Sequence, residues 1–482
     1  MSKFLSASAL SLFFPLLCVA TLHAQTNPLS MTTMEVVKDM GLGINLGNTF
    51  ESNGSWINGN TVNAYETAWG SPTITKAMID GYASAGFKTV RIPVAWSNLM
   101  TGNSSGGNYT ISTALLNRVE EVVNWVLANN MYAIVNIHQD GGWWENFPND
   151  FDECMKKYKR IWTQVSDKFK SHSGYLIFES LNEEGVWNDV WNQWGGTNGK
   201  DRAYNMLNAI NQEFTTLVRA SGGNNGNRHL LIAGYATNID RTIDAMFKMP
   251  TDAKNRQAVS VHYYDPFGFT HHDGNKNDWG WSTPNQEPLM TWGTSVEINQ
   301  LSTEMNKLKT NFVDKGTPVI VGEYGFAAGK LPRAQSEIRK YTLAVAEAIY
   351  TRNMCPVLWD IQLNSNNGEI LYYYDRKSNP PAFVDPQLVN GFRELVGLPE
   401  LPTFILENKI SLSNFSVQAL SGKRLLIDAS SPTVVEIYDI KGKKAANFNV
   451  SSGSQIVNLS LPNGVYFAKT QGIPNNIMFA VK

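Results

Sequence analysis

Leu176-Ile-Phe-Glu-Ser-Leu-Asn-Glu-Glu184 reads as a strand that starts in a hydrophobic core and ends in ionisable groups. Apolar residues dominate its first half, and the run finishes on Asn182, Glu183 and Glu184. Pro318-Val-Ile-Val-Gly-Glu-Tyr-Gly325 repeats the arrangement and delivers Glu323. Strands this apolar suit a sheet covered on both faces. Two strand ends that each carry a carboxylate point to a paired-carboxylate site.

The same alternation extends in both directions. Met40-Gly-Leu-Gly-Ile-Asn-Leu-Gly-Asn-Thr49 is a glycine-punctuated first strand, followed by Lys88-Thr-Val-Arg-Ile-Pro93 and Tyr132-Ala-Ile-Val-Asn-Ile-His138. After the opening stretch come strands at 229–233, 258–264, 319–322 and 357–360. Helical periodicity fills the gaps at 73–85, 112–129, 151–172, 201–221, 294–315 and 334–352, with a short helix near Asp244 and a last one at 386–396. In the second of these, Leu115, Val119, Val122 and Val126 fall on one face. Eight such units predict an α/β fold of the (β/α)8 barrel type. A doubly wound open sheet is the competitor. It should carry a phosphate-binding glycine fingerprint after its first strand, whereas Gly41-Leu-Gly-Ile-Asn-Leu-Gly47 has the wrong spacing and lies within the strand.

The ends of the chain differ in character. Lys3 followed by the apolar run from Phe4 to Ala20 reads as a secretory signal, with small-residue cleavage options at Ala20 or Ala24. That run is short for a membrane anchor, so residues 1–24 are expected to leave and the protein to be secreted or attached to the cell surface. The barrel is expected over 25–398 and a proline-containing linker over 399–406. Residues 407–482 then form short β-prone runs, which predict a small all-β sandwich. Among 482 residues the net charge is only −2, with no basic block, which argues against nucleic acid or an anionic membrane as partner. A monomer is expected. Cys18 leaves with the signal, so Cys154 and Cys355 either pair or stay as buried thiols.

In an eight-stranded barrel the C-terminal ends of the strands converge on one mouth. Here those ends supply Asn48, Arg91, His138, Asn182, Glu183, His262, Tyr264, Glu323 and Trp359. Singly, Arg91 could be a structural ion-pair partner, and His138 or His262 a satisfied core histidine. Together at one end they describe a site. Two facing carboxylates suit glycoside hydrolysis, in which one must be protonated and the other ionised. Neither metal nor cofactor is called for. The first strand lacks the His-x-His of binuclear barrel hydrolases, and His271-His-Asp273 reads as part of a solvated loop.

The motifs Asn45-Leu-Gly-Asn-Thr49, Glu66-Thr-Ala-Trp-Gly70, Gly86-Phe-Lys-Thr-Val-Arg-Ile-Pro-Val-Ala-Trp96, Asn136-Ile-His138, Phe178-Glu-Ser-Leu-Asn-Glu183, His262-Tyr-Tyr264 and Gly322-Glu-Tyr-Gly325 occur in one order over residues 34–398. Together they resemble glycoside hydrolase family 5, in the subgroup of endoglucanases, lichenases and xyloglucanases. The resemblance implies a general acid/base at Glu183 and a nucleophile at Glu323. It further implies Asn182 on the sugar 2-hydroxyl, Arg91 and Tyr264 aligning Glu323, His138 and His262 on sugar hydroxyls, and Trp359 beneath the sugar. Trp143, Trp144, Trp187, Trp279, Trp281 and Trp292 lie in mouth loops, where some are expected to stack on flanking sugars and others to pack in the core.

Two positions depart from the pattern. Gln139 stands where relatives often have a second histidine, and Glu184 where proline commonly follows the catalytic glutamate; Glu184 is expected to face outward. The implied activity is a retaining endo-β-1,4-glucanase on plant β-glucans. A xyloglucanase, lichenase or mannanase, and a catalytically silent sugar-binding barrel, are the alternatives. Val435-Glu-Ile-Tyr-Asp-Ile-Lys-Gly442 and Leu461-Pro-Asn-Gly-Val-Tyr-Phe-Ala-Lys469 resemble the sorting domains of the type IX secretion route, against an ordinary accessory sandwich.

Overall fold

The eight apolar runs become eight parallel strands of one closed barrel in the computed structural model. It describes residues 27–272, 287–327, 331, 333–362, 373–401, 415–420, 423–439, 443–462, 464–470 and 477–481. The strands are β1 (Gly43–Asn45), β2 (Thr89–Ile92), β3 (Tyr132–Val135), β4 (Leu176–Glu179), β5 (Leu230–Ala233), β6 (Gln257–Tyr263), β7 (Val319–Tyr324) and β8 (Cys355–Leu358). They pair in chain order, and β8 closes on β1 through Gly43 and Val357. The first strand is shorter than its glycine-rich run suggests. Asn48 turns into the left-handed region at φ 55°, and Gly47 keeps only an isolated bridge to Ile361.

Helices α2 (Lys76–Ala85), α3 (Thr113–Ala128), α4 (Phe151–Phe169), α5 (Lys200–Ala220), α6 (Ser295–Asn311) and α7 (Gln335–Tyr350) fall on the spans that periodicity marks, α5 starting one residue earlier. So does α8 (Pro386–Leu395), and the short helix after β5 is Ile239–Thr242. An element that the apolar pattern leaves out precedes them all. Helix α1 (Thr33–Asp39) starts in a capping box between Thr32 and Glu35, and its Val36 and Val37, with Met40, pack on the barrel floor. Their neighbours are Tyr132, Ile134, Ile177, Ile320, Cys355 and Val357.

Two local features aim the site. Along β4 the alternation of a strand sends Ile177 and Glu179 into the barrel, while Phe178 packs outward on Trp162 of α4, ring centroids 5.5 Å apart. On β7 the register slips against both neighbours. Val261 faces Val321 but His262 faces Glu323, and on the other side Pro356 faces Val321 but Leu358 faces Tyr324. One extra residue therefore lets Gly322 and Glu323 both face inward, the re-aiming that β-bulges perform. Space at 322 is tight: a Cβ there would lie 3.1 Å from Ser260 Oγ and 3.2 Å from His262 Nε2, so a side chain would have to push one of them aside.

Cys154 and Cys355 are both buried and free, so the pairing alternative does not hold. Among the described residues no helix is long and apolar enough to cross a membrane.

The chain divides into two units, Met1–Ala83 with Phe87–Pro381, and Ser84–Gly86 with Ala382–Lys482. The second contains two antiparallel sheets. One has β9 (Phe415–Leu420), β10 (Arg424–Ala429) and β13 (Gly453–Asn458); the other has β11 (Thr433–Asp439), β12 (Lys444–Val450), β14 (Gly464–Thr470) and β15 (Ile477–Val481). Leu425 and Ile427 of one sheet share a buried cluster with Val435, Ile437 and Ala468 of the other. Strand β12 carries the alternation of a half-buried strand in Ala446-Asn-Phe-Asn-Val450, with Asn447 and Asn449 exposed and Val450 fully buried. The signal segment, Trp279, Trp281, Asp273, Lys441-Gly442 and most of the linker lie outside the described residues.

Candidate active site

The mouth is assembled around Arg91, which stands on β2 between Asn45 of β1 and Ile134 of β3 and has no exposed surface. A buried guanidinium must find acceptors for its donors, and this one does. Its Nε donates to Glu179 at 2.7 Å, Nη1 to Glu323 at 2.8 Å and to Asn45 Oδ1 at 3.1 Å, and Nη2 to Asn182 Oδ1 at 2.8 Å. Burial works against its charge, but Glu179 and Glu323 outweigh it.

Glu179 is a third carboxylate that motif reading passed over. It is fully buried beneath the other two and also accepts from Asn136 Nδ2 at 3.0 Å and Ser260 Oγ at 2.8 Å. Two signals could have found it. It shares inward parity with Ile177, and a buried Arg91 has more N–H donors than Glu323 alone can satisfy.

Above this layer the two predicted carboxylates meet. One oxygen each of Glu183 and Glu323, with a ring nitrogen of His262, lie within 4.8 Å of one another. His262 Nδ1 is 2.7 Å from Glu183 Oε1 and 3.6 Å from Glu323 Oε2, and Tyr264 donates its hydroxyl to Glu323 Oε2 at 2.8 Å. His138 stacks on Trp359 with centroids 5.7 Å apart and planes 5° from parallel. Burial, then the nearby Arg91 and His262, push His138 well below the usual histidine value, so its ring is neutral. Asn48 stands apart on the turn after β1, its amide donating to the Trp69 carbonyl at 3.3 Å.

The environments of the pair differ. Burial pushes the Glu323 carboxyl up, and the Glu183 charge adds to this against the pull of His262, Arg91 and Tyr264. Burial also opposes ionisation of Glu183, but the His262 hydrogen bond and charge, with Arg91, overcome it and hold Glu183 below its ordinary value. That direction belongs to the open mouth, where the Glu183 side chain is 42% exposed against 7% for Glu323. The two titrate as a pair.

Glu183, Glu323 and His262 have the spacing to share a cation. Of the three, Glu323 is already paired with Arg91 at 2.8 Å.

Several expectations need correcting. Glu184 does not face outward: it is 1% exposed, because its carboxyl folds back onto the Asn182 amide. His271 and His272 are not solvated. The short helix Phe267–Thr270 brings His271 against Tyr264, centroids 4.8 Å apart, and buries His272. Trp187 and Trp292 are buried and pack on Tyr235 and Tyr341, which excludes them as sugar platforms. Trp143 and Trp144 stay half-buried, the indole N–H of Trp143 donating to Asp140 at 2.7 Å.

The turn carrying Asn48 rests on Glu51, a buried carboxylate that accepts from the Asn48 and Thr49 amides, the latter at 2.9 Å. Burial pushes Glu51 up to about 7, against its backbone donors and Arg376. A carboxyl raised on folding binds its proton more tightly in the folded state. Its contribution to stability is therefore full below about pH 4.5 and is lost as pH rises through about 7. In Glu51→Gln this slope should flatten, by on the order of 3 kcal/mol across the window, in urea denaturation followed from pH 5 to 8.

Comparison with known proteins agrees with this geometry. The profile of Cellulase (glycosyl hydrolase family 5) matches residues 50–365. The chain belongs to glycosyl hydrolase family 5. Within the family it is 35% identical to Endoglucanase A of Paenibacillus barcinonensis over 362 residues, 71% of this chain and 86% of that one. It is 33% identical to a xyloglucan-specific endo-beta-1,4-glucanase of Bacteroides ovatus over 344 residues, 68% of this chain and 65% of that one. Among solved structures, a family 5 lichenase from Caldicellulosiruptor sp. F32 in complex with cellotetraose superposes with a TM-score of 0.68 at 33% identity, over 76% of this chain and 95% of that one.

Proposed function

We propose that this family 5 member is a secreted, retaining endo-β-1,4-glucanase of plant cell-wall β-glucans. The observation that carries it is the carboxylate pair, with oxygens within 4.8 Å and with Arg91 and Tyr264 bonded to Glu323 and not to Glu183. Retaining glycosidases hold their carboxyls about 5–5.5 Å apart, whereas inverting ones need about 6.5–9.5 Å to admit a water.

In this mechanism Glu323 attacks the anomeric carbon, since two fixed donors favour its ionised form. Glu183 protonates the departing sugar oxygen and then takes a proton from the water that hydrolyses the glycosyl-enzyme. A glucan chain lying over the mouth strips water from the exposed Glu183 side chain and raises its proton affinity. Glu323 keeps Arg91 and Tyr264, so substrate binding drives the pair into the acid-and-nucleophile state. Asn182, held through Oδ1 by Arg91, turns its NH2 towards the sugar 2-hydroxyl. The Trp359 face lies beneath the ring, and the neutral His138 offers a hydrogen bond.

Relatives named as endoglucanases, with a lichenase among solved structures, support the glucan class. The likeness to a xyloglucan-specific enzyme keeps xyloglucan as the second reading. Reducing-sugar release from carboxymethylcellulose, lichenan, xyloglucan and mannan separates them. Release from the first two is expected; activity confined to mannan rules the proposal out.

Export rests on residues 1–24 as a cleaved signal. We further propose that the domain at 407–482 is a type IX sorting domain. Its support is the resemblance of the runs on β11 and β14.

A further inference from the structure

Glu184 has no part in the mechanism above, yet it is one of the most enclosed carboxyls in the molecule. It is 1% exposed; Oε2 accepts the backbone N–H of Asn182, and Oε1 has no hydrogen-bond partner among the described residues. Buried side-chain oxygens left unpartnered are rare and call for a reason.

The residue ends a turn fixed at both sides. At its start, the Ser180 carbonyl accepts from Tyr158 of α4 at 2.9 Å, and the Ser180 hydroxyl donates to Asn211 of α5 at 2.7 Å. At its finish, the Glu184 carbonyl accepts the Ala236 amide at 2.8 Å, and Gly185, at φ 114°, turns the chain away. Between these anchors lie Asn182 and Glu183, and the Glu184 carboxyl is what closes the turn on itself.

We propose that Glu184 is a positioning residue for Glu183: its carboxyl, folded back onto the Asn182 amide, sets the direction in which Asn182 and Glu183 enter the mouth. It does so as an uncharged acid. The ionisable groups facing it are Glu183 beside it, Glu179 of β4 and the Tyr158 phenol of α4, none of them a cation, and no ion pair reaches it among the described residues. An unpaired charge so deeply buried would be costly. Consistently, burial raises the Glu184 carboxyl well above the ordinary glutamate value, and the charges of Glu183 and Glu179 add to it. An uncharged Glu184 keeps the acid/base from feeling another negative charge directly behind it.

This inference rests on the glucanase reading, and the test separates the two. Wild type, Glu184→Ala and Glu184→Gln are assayed on barley β-glucan and on a dinitrophenyl cellobioside, whose leaving group needs little protonation. If Glu184 aims the acid, Glu184→Ala loses about 10–100-fold in kcat/KM on β-glucan. On the activated glycoside kcat/KM, which reports glycosylation and so leaves out the later base step of Glu183, falls by no more than about threefold. Glu184→Gln, neutral and of the same shape, keeps activity within about threefold and leaves the alkaline limb of the pH–rate profile in place.

Equal losses on both substrates overturn the proposal, because a merely structural role moves them together. A Glu184→Gln limb displaced by a pH unit or more also overturns it, since a charge has then been removed. The glutamine variant decides the matter if the alanine variant does not fold. Wild-type protein that cleaves neither substrate overturns the glucanase reading, and the role of Glu184 with it.

Discussion

Glu323→Ala should lower kcat on β-glucan by about 10⁵-fold, the scale of loss when a covalent nucleophile is removed. Folding should survive. Arg91 keeps Glu179, Asn45 and Asn182 as partners, so the guanidinium is not left unpaired. Sugar binding should survive as well, because the stacking face of Trp359 and the side chains of Asn182 and His138 are untouched. The cavity left beside Arg91 suits a small anion. With azide and the activated cellobioside, turnover should partly return and yield the α-glycosyl azide, the anomer formed by attack from the nucleophile's face. Unchanged turnover, or a β-azide product, would remove Glu323 from the role.

The second large effect is on the fold itself. Arg91→Met should cost about 3–5 kcal/mol of unfolding free energy at pH 7, the penalty for stranding one side of a buried ion pair. Here two carboxylates are stranded, Glu179 and Glu323, both bonded to the same guanidinium and nearly without solvent. In the variant they bind protons more tightly folded than unfolded, so the deficit grows with rising pH and shrinks as the solution is acidified. Urea denaturation of both proteins at pH 4.5 and pH 7.5 measures this. A deficit independent of pH would mean that packing, not charge, holds Arg91 in place.

These two residues show what a sequence can and cannot disclose. Glu183, Glu323, Asn182, Arg91, His262 and Tyr264 are all legible, because each stands at or near the C-terminal end of an apolar strand and barrel geometry brings such ends together. The layer beneath is not. Glu179 is the last residue of β4, but Leu181 carries the apolar reading past it to Asn182, and its worth becomes visible only once Arg91 is known to be buried. Glu51 is hidden for a similar reason, in a polar loop where glutamate looks ordinary. Glu184 misled in the opposite sense. A glutamate in a loop normally faces water, and only the turn closing on Asn182 pulls it inside. Helix α1 escaped notice because it is only seven residues long. The barrel strands were easy by contrast, since a sheet covered on both faces must be apolar throughout.

The slipped register of β7 bears on stereochemistry. Moving a carboxylate one position down that strand, from 323 to 322, would keep it inward-facing but lower it by about 3.3 Å. Set against a gap of at most 4.8 Å, a shift of that size takes the pair away from the short spacing on which a retaining displacement depends. Ser260 and His262 crowd the space that a side chain at 322 would enter. In the retaining mechanism proposed above, the product anomer therefore depends also on Ser260 and His262, two neighbours that crowd a single methyl-sized volume at 322.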